Sequence, residues 1–187
     1  MIKIGITGSI ASGKTTASKI LSHRRGPLFS ADAIVKKFYN NNNFKKLLAK
    51  KFDVKKDNLK ASLKKKIFKK KNNIKKLEKI IHPMVRKEMK RFTIFHKKKS
   101  KVFYEIPLLF ESKLMNYFDV IIFIKAKKQL RLKRFKAKGG DDKLFRFLNS
   151  KQISDKKKAK FSDHIIVNEK NLNILKKNLL SIIKLYV

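Results

Sequence analysis

The residues with the clearest chemical potential lie near the start of the chain. Gly8-Ser9-Ile10-Ala11-Ser12-Gly13-Lys14-Thr15 fits the pattern G-x-x-x-x-G-K-[S/T]. In this pattern backbone N–H groups surround a nucleotide phosphate, the lysine spans the β- and γ-phosphates, and the hydroxyl binds Mg²⁺. The pattern therefore predicts a site for ATP and Mg²⁺ made by Gly8, Ala11, Ser12, Gly13, Lys14, Thr15 and Thr16.

Two carboxylates follow predicted strands and are candidates for the reacting end of this site. Asp32 follows Leu28-Phe29-Ser30, where a carboxylate can orient an acceptor hydroxyl and take its proton. Its alternative role is the N-cap of a helix starting at Ala33. Glu105 ends a second predicted strand and can hold the Mg²⁺ shell or act as a structural carboxylate. The residues alone leave these alternatives open.

Histidine and arginine supply further candidates. His82 precedes Pro83, which predicts an extended backbone at His82. A lone histidine is more often a hydrogen-bonded core residue than a catalyst. A basic segment around Gly139-Gly140 carries arginines that can neutralise a transferring phosphoryl group from a mobile flap, or can simply lie on a solvated helix face: Arg131, Arg134 and Arg146.

Strands alternating with helices must position these residues. Short apolar runs predict strands at 1–7, 28–30, 102–104, 120–124 and 164–167. The run Val120 to Ile124 is continuous enough to be buried on both faces, as in a parallel sheet. Residues 44–99 carry apolar side chains at helical spacing, and the polar run Asn40 to Asn43 predicts a loop before them.

These elements predict one α/β domain, a parallel sheet flanked by helices. Its core comprises residues of about 1–32, 100–126 and 160–187. We expect a helical insertion at about 33–99 and a helical lid at about 127–150.

Composition limits the class of protein. The chain has 187 residues, no cysteine and a formal net charge of +38. We expect no signal peptide and no membrane span, and the missing cysteines fit a reducing cytoplasm. The charge suggests either a polyanion partner or a lysine-rich coding bias. We favour the bias, because arginine, which phosphate and base recognition prefers, is scarce. We therefore expect no specific nucleic-acid or membrane partner; the oligomeric state is left open.

Several separate segments resemble one family of P-loop kinases, the dephospho-CoA kinases. The segment 6–16 is close to the family's T-G-G-I-G-S-G-K-S-T, and Ser30-Ala31-Asp32 resembles its D-A-D. Leu77 to Pro83 matches L-E-x-I-x-H-P, and Glu105 to Glu111 contains the specific P-L-L-F-E. Arg134, Arg146 and Gln152 follow the order of the lid signature, and 162–168 is similar to A-D-x-V-I-x-N.

The resemblance implies a P-loop NTPase fold with a helical substrate-binding insertion and a helical lid. It implies transfer of the ATP γ-phosphoryl group to the ribose 3′-hydroxyl of dephospho-CoA. Lys14 would be catalytic, Asp32 would be the base, and Arg134 and Arg146 would belong to the lid and its flank. The acceptor would be held by Asp32, His82, Pro107, Leu108, Leu109 and Glu111.

The chain also departs from the family pattern. Ser9 and Ala11 replace glycines of the loop, and Ser30 replaces the first acid of D-A-D. Lys60 and Lys138 stand where arginines are common. These changes bear on rate and affinity more than on reaction type.

Two rival functions share parts of this evidence. Another P-loop nucleoside or nucleotide kinase differs only in its acceptor, while a GTPase would need motifs that 105–108 and 168–171 lack. A nucleic-acid-binding protein is suggested by charge alone, and would interleave aromatic residues with arginines on one surface. Here the phenylalanines mostly fall at core spacing, which favours the kinase.

Overall fold

The computed structural model describes residues 1–55, 58–69 and 71–186. The chain divides into two compact units. The sheet unit comprises Met1–Ser30 and Phe95–Val187, and the helical unit comprises Ala31–Ile94.

In the described part of the sheet unit there are five strands: β1 Ile2–Gly8, β2 Leu28–Ser30, β3 Lys101–Glu105, β4 Val120–Lys125 and β5 His164–Val167. They are all parallel and lie in the order β2-β3-β1-β4-β5. The helices of this unit are α1 Lys14–Ser22, α6 Lys128–Lys136, α7 Asp142–Ser150, α8 Asp155–Lys160 and α9 Leu172–Ile183, with one-turn 3₁₀ helices at Met115–Tyr117 and Lys184–Tyr186. The α/β class and the parallel sheet are confirmed.

The core of the sheet unit follows from the apolar runs of its strands. Val120 to Ile124 of β4 are all buried, as expected for a strand covered on both faces. One face packs against α1 and α9 through Ala17, Leu21, Leu175, Leu179 and Ile183. This packing fixes α1 against the sheet.

The helical unit consists of α2 Ala31–Asn40, α3 Asn42–Phe52, α4 Leu59–Lys69 and most of α5 Lys71–Phe95. Apolar residues at helical spacing meet in one cluster made by Phe44, Leu48, Phe52, Leu59 and Leu63. The helical character of this segment is therefore as predicted. The side chain of Lys60 lies outside the described residues.

Two local predictions are wrong. The expected loop Asn40 to Asn43 reduces to Asn41, because its side chain accepts the Phe44 N–H at 3.1 Å and caps α3. His82 is not extended, because Pro83 lies inside the long helix α5. Proline removes one helical hydrogen bond and kinks a helix, but flanking turns with packed apolar residues can outweigh that cost.

None of the helices in the described ranges combines the length and the apolar character that a bilayer crossing requires.

Candidate active site

The phosphate-binding pattern lies where the topology favours a ligand. Gly8 ends the central strand β1, and Lys14 begins α1. The neighbours of β1 are β3 and β4, which lie on opposite sides of it. Parallel α/β sheets bind ligands at the carboxyl ends of strands beside such a reversal of strand order. The N-terminus of α1 adds backbone N–H groups and a positive dipole end, which favour a phosphate.

Close contacts around Gly8 and Gly13 leave no room for a side chain at either position. A Cβ at Gly13 would collide with the side-chain amide of Asn168, and its φ of 96° is left-handed. That amide donates a hydrogen bond to the Ser12 carbonyl at 2.8 Å. A Cβ at Gly8 would lie 2.8 Å from the carbonyl oxygen of Ile124. Side chains at these two positions would therefore displace the loop or the strand beside it.

Ala11 also has a left-handed backbone, with φ of 57°. A non-glycine residue in this conformation costs about 1–2 kcal/mol. The loop of this chain therefore retains strain at one position where the resembling family has glycine.

A carboxylate and two hydroxyls meet beside the loop. Thr15 Oγ1 donates to Glu105 Oε1, and Ser30 Oγ donates to Glu105 Oε2 at 3.1 Å. Glu105 is 2% exposed, at the carboxyl end of β3. Its register pairs it with Ile6 of β1 and Ser30 of β2, which places it between the loop strand and Ser30. A carboxylate with a nearby hydroxyl supplies the hard oxygen ligands that Mg²⁺ prefers.

The segment Pro107 to Glu111 follows β3 within the same unit. Its start is tied to the loop strand, because Thr7 Oγ1 donates to the Pro107 carbonyl at 3.4 Å. Leu109 has no exposed surface, whereas Pro107 and Leu108 are half-buried. The Glu111 carboxylate accepts the Ile153 N–H at 3.0 Å.

Glu111 also pairs with a buried lysine. Lys158 Nζ lies 3.3 Å from Glu111 Oε1, and the lysine has no exposed surface. Burial lowers the pKa of Lys158, while Glu111 and Asp155 favour its charged form and Lys14 disfavours it. An ammonium ion this deeply buried needs its carboxylate partner, so the two residues form one structural element.

The arginines of the predicted lid differ in their contacts. Arg134 NH1 donates to the Asn168 carbonyl at 3.1 Å and reaches the Ser12 carbonyl at 3.5 Å. Arg131 is 4% exposed and donates to the Ile10 carbonyl at 3.4 Å. Arg146 is exposed on α7, and in the described part of the chain no hydrogen bond or ion pair joins it to the loop. The structure therefore brings two of the three arginines to the loop.

Asp32 and His82 belong to the helical unit. Asp32 is exposed in the first turn of α2, which begins at Ala31, so the N-cap alternative does not hold. His82 is half-buried in α5. Burial lowers the pKa of His82; Glu78 raises it, and Arg86 lowers it further.

The sequence interpretation missed two contacts that support the loop and one that holds the segment after β3. Ser9 donates to Asp155, Ile10 N–H donates to Gln152 Oε1 at 2.9 Å, and Lys158 pairs with Glu111. Asp155 and Lys158 lie on α8, which was not predicted because DKKKAK carries no apolar periodicity. Gln152 appeared in the order of the lid signature and Glu111 in the P-L-L-F-E segment, whereas Asp155 and Lys158 gave no signal in the sequence.

This geometry defines a class. A parallel sheet with a G-x-x-x-x-G-K-T loop between its central strand and α1, and an acid ending the adjacent strand, is that of a P-loop NTPase, the fold to which P-loop kinases belong.

Comparisons with known proteins narrow the class. The family model described as dephospho-CoA kinase matches residues 2–173. A dephospho-CoA kinase of Bartonella quintana is 34% identical, over 97% of this chain and 96% of the relative. The chain therefore belongs to the dephospho-CoA kinase family, ATP-dependent kinases that catalyse the last step of coenzyme A biosynthesis.

Two solved structures share this fold, and one of them is a dephospho-CoA kinase. A Thermus thermophilus protein matches with a TM-score of 0.84 and 26% identity, over 100% of this chain and 98% of that one. A dephospho-CoA kinase from Campylobacter jejuni matches with a TM-score of 0.68 and 26% identity, over 97% of this chain and 95% of that one.

Proposed function

We propose that this chain transfers the γ-phosphoryl group of ATP to the ribose 3′-hydroxyl of dephospho-CoA. The family match over residues 2–173 supports the acceptor. The contact between Thr15 and Glu105 beside the loop supports the phosphoryl chemistry, because it joins the two groups that P-loop enzymes use around Mg²⁺.

The loop and α1 bind the ATP phosphates in this proposal. The cradle comprises Gly8, Ala11, Ser12, Gly13, Lys14, Thr15 and Thr16. Lys14 places its charge on the β- and γ-phosphates, where negative charge shifts during transfer. Backbone N–H groups at the start of α1 and the helix dipole stabilise the same charge.

Mg²⁺ fits the oxygen groups of Thr15 and Glu105. The metal, when bound, neutralises charge between the phosphates. Glu105 accepts hydrogen bonds from Thr15 and Ser30, so its two oxygens are already held in place beside the loop. We assign Thr15 and Glu105 to the metal.

Asp32 is assigned as the residue that orients the acceptor hydroxyl and takes its proton. It is exposed in the first turn of α2, where the positive end of the helix dipole stabilises a negative charge. The acceptor-binding set is completed by His82, Pro107, Leu108, Leu109 and Glu111. Leu109 is fully buried, so it would support the site by packing against neighbouring side chains and would not contact the acceptor itself.

Arg134 is assigned as a catalytic residue that neutralises charge on the transferring phosphoryl group, and Arg146 is assigned to ATP binding from the lid. The contacts of Arg134 to the carbonyls of Ser12 and Asn168 hold its guanidinium at the loop. Arg146 is exposed on α7 and would reach ATP through movement of that helix, while Arg131 and Arg134 of α6 stay at the loop.

A coupled assay of ADP release tests the proposal. Dephospho-CoA should support turnover with ATP and Mg²⁺, whereas a panel of nucleosides and nucleoside monophosphates should not. Product analysis should locate the new phosphate on the 3′-oxygen. Turnover with a nucleoside, and none with dephospho-CoA, would overturn the acceptor while leaving the P-loop chemistry intact.

The proposed partners are small molecules only, and the proposed location is the cytoplasm. Coding bias accounts for the lysine excess in this proposal. A gel shift at physiological salt tests it, since specific nucleic-acid binding would retain a strong preference for one sequence or shape.

A further inference from the structure

Ser9 is a buried hydroxyl on the phosphate loop, at a position where the family pattern has glycine. It is 3% exposed, and its Oγ donates to Asp155 Oδ1. A buried hydroxyl without a partner costs about 1–3 kcal/mol. Asp155 therefore satisfies a group that a glycine loop would not contain.

Asp155 is itself held by a buried cation. Its Oδ2 lies 3.8 Å from NH2 of Arg131. The guanidinium is fixed by hydrogen bonds to the Ala126 carbonyl at 3.2 Å and Asn149 Oδ1 at 2.8 Å. Arg131 thus balances the carboxylate charge near a phosphate site, where an unbalanced anion would repel ATP.

Ile10, the next residue of the loop, is held by the side chains of Gln152 and Arg131. The Ile10 N–H donates to Gln152 Oε1 at 2.9 Å, and the Ile10 carbonyl accepts from Arg131 at 3.4 Å. Both backbone groups of Ile10 are therefore committed to side chains. Ser9 and Ile10 are anchored by residues 146 and 142 positions away in the chain.

We propose that Asp155 is a positioning residue for the phosphate loop of this chain, acting through Ser9. The hydrogen bond fixes the conformation of a loop that lacks two family glycines, so that the loop binds ATP without first reorganising. Arg131 orients the carboxylate and cancels its charge. The inference rests on the proposed binding of ATP phosphates by residues 8–16.

A double-mutant cycle on the full chain tests the coupling between the two residues. Asp155→Ala should raise the Kd and KM for ATP about tenfold, the size of one hydrogen bond to a charged group. In a Ser9→Gly background, Asp155→Ala should change ATP affinity by less than about threefold, because the hydroxyl that needs the carboxylate is gone. The KM for dephospho-CoA should stay constant throughout.

Two variants separate the hydrogen bond from the charge. Asp155→Asn keeps an acceptor for Ser9 and should stay within about threefold of the parent in ATP affinity. Ser9→Ala keeps the Cβ and the Asp155–Arg131 pair but removes the donor, and should weaken ATP binding about five- to tenfold. Ser9→Ala also tests the proposal if Asp155→Ala fails to fold.

Asp119→Ala is the matched control. Asp119 is also an acid of the sheet unit that pairs with a cation, Lys3 at 4.0 Å, and accepts a hydrogen bond, from the Lys3 N–H at 2.7 Å, but it precedes β4 at the amino ends of the strands, whereas the loop lies at their carboxyl ends. Its ATP affinity should match that of the parent chain.

Either of two results would overturn the proposal. In the first, Asp155→Ala weakens ATP binding equally in the parent chain and in the Ser9→Gly background, so that the two changes are additive. In the second, Ser9→Ala leaves ATP affinity unchanged. Either outcome would leave Asp155 a purely structural partner of Arg131. Calorimetry with ATP alone keeps this result separate from the proposed acceptor: tight ATP binding without turnover of dephospho-CoA would count against the acceptor only.

Discussion

The sheet unit and the helical unit bury different kinds of side chain. Every buried polar or charged residue of the described chain lies in the sheet unit, from Thr7 near the loop to Asn168 after β5. Among the described side chains of the helical unit, the buried ones are all apolar, such as Phe44, Leu48 and Leu63. Both units are lysine-rich at the surface, so net charge does not distinguish them.

The difference indicates where function constrains the interior. Burying Glu105, Arg131 or Lys158 costs free energy unless partners satisfy each group, and an apolar residue would often be as stable. Two of these groups contact the phosphate loop, Glu105 through Thr15 and Arg131 through Ile10, which supports the proposal that this unit binds a charged ligand. The helical unit needs only apolar packing, and its candidate functional groups, Asp32 and His82, lie at least partly at the surface.

The largest expected effect comes from the sheet unit. Lys14→Ala should lower kcat/KM by about 10³–10⁵-fold, as when a charge on the transferring phosphoryl group is removed. ADP release measures the loss, and an unchanged melting temperature shows that the fold survives. Lys19→Ala, an exposed lysine of the same helix, is the control. Activity of Lys14→Ala within a few-fold of the parent would refute the P-loop assignment.

The next effect tests the helical unit. Asp32→Asn keeps the size and shape of the side chain but removes its charge and basicity. Turnover should fall by about 10²–10⁴-fold, the usual contribution of a positioned general base. ATP affinity and melting temperature should barely change, since Asp32 is exposed. Near-normal kcat with dephospho-CoA would eliminate Asp32 as the base.

The Arg134→Ala variant tests whether this arginine of the sheet unit stabilises the transition state more than it stabilises bound ATP. Loss of a guanidinium that makes charge-assisted hydrogen bonds should lower kcat about 10–100-fold, and ATP Kd should change less. Steady-state kinetics beside calorimetry give the two numbers. Lys133→Ala, exposed one position earlier on α6, serves as the control. Equal losses in kcat and ATP affinity would indicate a ground-state contact.

A substitution in the apolar core of the helical unit tests the packing of that unit through the free energy of unfolding. Leu48 has no exposed surface in the cluster of α3 and α4, so Leu48→Ala should destabilise the fold by about 2–5 kcal/mol. Denaturant unfolding measures this cost. The neighbouring Leu47 is 41% exposed, and Leu47→Ala should cost under about 0.5 kcal/mol. Equal costs would show that Leu48 is not packed as described.

The smallest effect is a pH dependence in the helical unit. Because burial holds the pKa of His82 below 6.5, the unfolded chain takes up the proton first as pH falls. This group therefore contributes stability above pH 6.5 that is lost as pH drops toward its folded pKa. His82→Gln should show a shallower loss of stability between about pH 7 and about pH 5. An identical slope in both proteins would mean that His82 titrates alike in the folded and unfolded chains.

Local patterns in the sequence determined most of the elements and the reaction class. The strand β4 could be predicted because a continuous run of apolar residues is typical of a strand covered on both faces in a parallel sheet. The phosphate loop could be predicted because its glycines, lysine and threonine act within one short segment, Gly8 to Thr15. Where a local rule met a competing interaction it failed, as at Asn41, which caps a helix, and at Pro83, which a long packed helix tolerates.

Only the tertiary structure decided which side chains support the loop. Ser9 and Asp155 are 146 positions apart, and Glu111, in the segment after β3, pairs with Lys158 inside α8. Hydrophobic periodicity predicts neither pair, because a lysine or an aspartate on a short polar helix is expected to lie at the protein surface. Their partners are set by where β1, β3 and α8 end in space, which depends on the packing of the whole sheet.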